Sequence, residues 1–202
     1  MTSDAALKLI DFWFADSREG SEQAAARIPV WFQSSEAFDE RLRADFGELA
    51  ERAAAGELDD WSGTAPGRLA LIIALDQLPR NLYRRSAKAF AQDAKALDLC
   101  LEGLKRGHDL ALSPVERVFF YLPLEHAEDL AIQNESCRRY GQLCGEAAGF
   151  GEIMKGSLEA VHEHKDLIER FGRFPHRNAL LGRESTQAEL EHLASGARTF
   201  GQ

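Results

Sequence analysis

The stretch Ser113-Pro-Val-Glu-Arg-Val-Phe-Phe-Tyr-Leu-Pro-Leu-Glu-His-Ala-Glu-Asp129 decides the fold class. Ser113 and Glu116 have the spacing of a capping box, with Pro114 at the first helical position, where its missing N–H costs nothing. Helical periodicity then gathers Phe119, Leu122, Glu125, His126, Asp129 and Gln133 on one face and the apolar residues Leu124, Ala127, Leu130 and Ala131 on the opposite one. Such a helix is covered on both sides, and one of its buried faces carries two carboxylates and an imidazole.

The rest of the chain agrees with this reading. It contains 30 Ala and 26 Leu against 4 Val, 7 Ile and 4 Thr. Ala and Leu lose little freedom in helices, whereas sheets favour β-branched residues. We therefore expect an all-α protein of roughly seven helices in antiparallel pairs, forming a single domain over residues 1–202. Helices are expected at about Ser3–Ala15, Ser35–Ala55, Pro66–Leu78, Ala87–Arg106, Ser113 to Leu143 with a kink at Pro123, Glu152–Phe171 and Thr186–Ala194. Ser17 to Ile28 reads as a connection, and Thr186-Gln-Ala-Glu189 as a second capping box.

The net charge of -9 argues against nucleic acid and anionic membrane surfaces, both of which need a positive face. The longest apolar run, Leu69 to Leu75, is far shorter than the roughly 20 residues that span a bilayer. The start lacks the basic region of a secretory signal, and three cysteines without C-x-x-C spacing fit a reducing compartment. A cytoplasmic location is expected.

Polar residues on apolar faces mark the candidate site. Leu69, Ile72, Ile73 and Asp76 share one stripe, and His164 lies in line with Val161, Leu167, Ile168 and Phe171. Two turns echo each other: Leu78-Pro-Arg-Asn-Leu-Tyr-Arg84, with Arg80 and Asn81, and Arg170-Phe-Gly-Arg-Phe-Pro-His-Arg-Asn178, with Arg173, His176 and Arg177. Both contain Arg and no Lys, and the guanidinium fork suits carboxylates and phosphates. Either these arginines neutralise Asp76, Glu125 and Asp129 internally, or the network keeps donors for an anionic ligand.

The candidate catalytic set is His126 with Glu125 and Asp129. The candidate ligand-binding set is Asp76, Arg80, Asn81, Arg84, His164, Arg173, His176, Arg177 and Asn178. His126 flanked by carboxylates suits acid–base chemistry. Glu-His-x-x-Asp lacks the spacing of the common zinc motifs, and no glycine cradle for a nucleotide occurs, so no metal and no cofactor is assigned. The functional expectation is binding, with acid–base turnover, of a small anionic compound. The alternative is a groove for a protein or acidic peptide, the polar cluster being architectural.

The segments Leu75–Asn81, Glu116–Asp129 and Arg170–Asn178, with Phe12-Trp-Phe14 and Trp31-Phe32, resemble the bacterial domain-of-unknown-function family 924. The resemblance covers nearly the whole chain. It implies an all-α fold grouped with the tetratricopeptide-like proteins and brings no known activity or catalytic residues.

Overall fold

The computed structural model describes residues 2–33 and 35–196. Among them all regular structure is helical: α1 (Asp4–Phe14), α2 (Ser21–Phe32), α3 (Glu36–Ala54), α4 (Ala65–Ile72), a π-helical turn (Ile73–Gln77), α5 (Leu78–Leu82), α6 (Asp93–Lys105), α7 (Pro114–Glu125), α8 (Leu130–Glu146), α9 (Gly151–Phe171) and α10 (Gln187–Ala194). With α4, the π turn and α5 taken as one continuous helix, the described residues form nine helices rather than about seven.

The differences have local causes. Residues Ser21–Phe32 are helical although Pro29 lies inside; the good helix formers Glu22 to Arg27 outweigh the one backbone bond that proline removes. The helix expected to run kinked from Ser113 to Leu143 is two helices. Pro123 is accommodated within α7, and the break comes at residues 126–129. There the Asp129 carboxylate accepts from the Ile132 N–H and starts α8. Gln133 Nε2 donates to the carbonyls of Glu125 (2.7 Å) and Ala127 (2.8 Å) and so closes the end of α7.

Both capping boxes form as the spacing predicts, at Ser113/Glu116 and Thr186/Glu189. Pro79 does not end its helix. The π turn lets the Leu78 N–H reach back five residues to Ile73, and Pro79 then enters the first turn of α5. The main core is aromatic where α1, α2 and α7 meet: Trp13, Phe14 and Trp31 pack against Phe119, with ring centroids 5.7, 5.3 and 4.8 Å apart. Helix α9 packs on α8, α7 and α2. It ends at Gly172, whose φ of 69° is the left-handed conformation a side chain resists. The chain then turns back over the α7–α8 junction, pinned by Glu128, which accepts from the Phe174 N–H (2.7 Å) and from both Arg183 Nη atoms (2.6 and 3.0 Å).

Candidate functional site

A cavity of about 500 Å³ lies between α2, the α4–α5 segment, α7, α9 and the 175–177 turn, a size typical of small-molecule sites. Its lining includes Arg80, Asn81, Arg84, Glu125, His126, His164, His176 and Arg177. Four of the residues grouped from sequence lie elsewhere. Asp76 is fully buried behind His126. Asp129 serves as the α8 cap. Arg173 forms a two-point pair with Glu189 (2.7 and 2.8 Å). Asn178 Nδ2 donates to Ser185, and its Oδ1 accepts from Arg183.

The π turn carries Asp76 to the C-terminal end of α7, where His126 Nδ1 and Asp76 Oδ1 are 2.7 Å apart. Burial opposes ionisation of Asp76, but Arg80 and His126 outweigh it and hold the carboxyl well below its usual range. An ionised Asp76 can only accept, so His126 carries its proton on Nδ1 and its lone pair on Nε2. Burial, reinforced by Arg80, pushes the His126 pKa down and keeps the ring neutral. His164 Nδ1 lies 2.8 Å from the Ala160 carbonyl and 3.1 Å from Glu125. Burial and the proximity of His126 drive its pKa well below the usual histidine value. Burial, with Asp76 nearby, pushes Glu125 up to about 8, so near neutrality it is chiefly a carboxylic acid.

Of the three cavity arginines, Arg80 and Arg177 differ most. Arg80 grips Asp93 with both Nη atoms (2.9 and 2.9 Å) and approaches Asp76 at 3.3 Å. Burial works against its charge, yet Asp76 and Asp93 carry its pKa upward. Among the described residues Arg177 has only a shared contact, Nη1 to Asp93 at 3.2 Å, plus a bond to the His126 carbonyl. Its guanidinium lies between the rings of Phe90 and Phe174, at 4.7 and 4.4 Å. Its Nε is buried without a hydrogen-bond partner among the described residues. Burial first, then repulsion from Arg80, lowers Arg177 to about 10. Arg84 pairs with Asp39, which also accepts from Asn81.

Glu125, His126 and His164 each offer a ligand atom within 4.8 Å of the other two, so this set could hold a cation. Three guanidiniums on the same cavity lining, and a Glu125 drawn to its neutral form, fit an anion better than a dication. Asp93, Phe90, Tyr140 and Phe174 complete the site and were not singled out from sequence; their proximity arises from long-range packing, with no local pattern to announce it.

The chain matches the model of the family described as bacterial protein of unknown function (DUF924) over residues 9–197. It is also similar to the solved structure of the protein of unknown function ATU0120 from Agrobacterium tumefaciens. That similarity is 40% in sequence identity with a TM-score of 0.77, covering 95% of this chain and 97% of that one. Comparison with curated proteins finds no match. With the family pattern matched from α1 to beyond α10, the chain belongs to the DUF924 family.

Proposed function

We propose that the cavity binds a small anionic compound and turns it over by proton transfer at His126. One observation carries this reading: an imidazole whose Nδ1 lies 2.7 Å from a buried carboxylate shares a cavity with an arginine that, among the described residues, has no carboxylate of its own. The anion is anchored at Arg177. His126 Nε2 accepts a proton, with Asp76 stabilising the imidazolium that forms. Glu125, held in its acid form, is the proton donor. No observation on this chain favours the alternative of a tetratricopeptide-like peptide-binding module.

A thermal-shift screen of monoanions, phosphate and divalent metal salts tests the reading, with Arg177→Met and His126→Gln alongside wild type. We expect an anion to raise the melting temperature of wild type and of His126→Gln but not of Arg177→Met. Consumption of that anion, followed by NMR, should stop in His126→Gln. A shift produced by a metal and lost in His126→Gln would overturn the anion reading. So would no anion hit combined with severe destabilisation of Arg177→Met, which marks an architectural network.

A further inference from the structure

The cavity has two chemically different ends, and this narrows what fits it. Its α7 wall is Val118, Leu122, Glu125 and His126, which at 1.5 Å per residue spans about 12 Å from apolar to polar. Along α9 the lining runs at helical spacing from Ile153 through Gly156 and Ala160 to His164, with Ser157 beside Gly156 and the exposed Glu152 beside Ile153. The polar ends coincide, since the His126 and His164 rings are 6.1 Å apart.

The apolar ends coincide too. Helix α2 packs on α9 and on the short helical turn just before it, Ala148–Phe150. Its Trp31 and Phe32 pack against Phe119, next to Val118. Phe32 lines the cavity yet is half-exposed, which puts it at the mouth.

At the polar end the charges count. Arg80 is held by two carboxylates and Arg84 by Asp39. Arg177 shares one oxygen of Asp93 with Arg80, and its Nη2 makes no hydrogen bond among the described residues. Among the described residues the site thus has one under-neutralised cation, which matches a monoanion and not a dianion. The flanking rings of Phe90 and Phe174 limit water around it, which strengthens pairing with an incoming carboxylate.

We infer that the ligand class is a monocarboxylate about 12 Å long from end to end, its carboxylate at Arg177 and its apolar body lying along Leu122 and Ile153 towards Trp31. This rests on the cavity being a small-anion site and adds the shape and charge of the ligand.

The test is titration calorimetry with straight-chain alkanoates from acetate to decanoate, below self-association, with 1-octanol as the uncharged control. Affinity should rise roughly fourfold per methylene until the body fills the cavity, at one ligand per chain, and octanoate should bind far more tightly than octanol. Gly156 lines the cavity, and a Cβ placed there meets nothing within 4 Å. Gly156→Leu gains helix propensity and should fold while losing the dependence of affinity on chain length. Anion binding that is flat across the series overturns this inference and leaves the small-anion reading intact. Octanol binding as tightly as octanoate overturns the anion reading. No binding by any member overturns both.

Discussion

The Pro79-Arg80-Asn81 and Pro175-His176-Arg177-Asn178 turns carry nearly the same residues and meet at one carboxylate, Asp93. Arg80 grips both Asp93 oxygens and reaches Asp76 as well; Arg177 touches Asp93 once and otherwise faces two phenyl rings and a carbonyl. One guanidinium is tied into the frame and the other is left short of negative charge. The comparison teaches that an arginine motif does not reveal its role by composition. The role follows from how many carboxylates the fold brings to it.

The comparison breaks most sharply at Arg80. Arg80→Ala leaves Asp76, fully buried, and Asp93 without their main partner, and should cost about 3–5 kcal/mol in urea unfolding. A loss below 1 kcal/mol would mean Arg80 is not the frame element we take it to be.

A second test uses pH. Glu125 keeps its proton longer in the folded chain than in the unfolded one. The stability this contributes is therefore complete below pH 4.5 and lost as the pH rises through about 8. His176 acts in the opposite sense. Burial and Arg177 lower its pKa to about 3, so its contribution is present above pH 6.5 and lost as the pH falls towards 3. Melting temperature should accordingly be highest between about pH 4.5 and 6.5 and decline from there towards pH 8.5, and Glu125→Gln should abolish the alkaline decline. An unchanged alkaline decline in Glu125→Gln would remove Glu125 as the buried acid.

Arg177→Met sharpens the comparison from the other side. It removes a poorly compensated buried cation while Asp93 keeps Arg80, so stability should change by only about 1 kcal/mol or less. Destabilisation equal to that of Arg80→Ala would make the two turns equivalent. Smallest is Arg173→Ala. Its guanidinium is partly exposed, the buried Glu189 also accepts from the Thr186 N–H, and the pair lies outside the cavity; we expect under about 1 kcal/mol and unchanged anion binding by calorimetry.

Much of the fold was legible because its signals are local. Ala and Leu enrichment announces helices, and Ser113 and Thr186 mark two helix starts through side chains that bond three residues on. Helix α2 escaped because the Gly- and Ala-containing run from Ser17 to Ile28 reads as a connection leading to Pro29, although a proline within a helix removes only one ladder bond. The α7–α8 junction escaped because the helical periodicity runs straight through residues 126–129. Continuity placed Asp129 beside Glu125, when the chain uses it as a cap. In the site, the polar face of α7 and the two arginine turns were readable. Asp93 was not, because only tertiary packing carries the start of α6 to both guanidiniums.

The most direct test of the central claim is a crystal structure of the protein with octanoate bound. The account predicts the carboxylate within about 3 Å of Arg177 Nη2 and the alkyl chain running past Leu122 and Ile153 towards Trp31. A carboxylate lying away from Arg177, or a chain on the surface with the cavity empty, would contradict it.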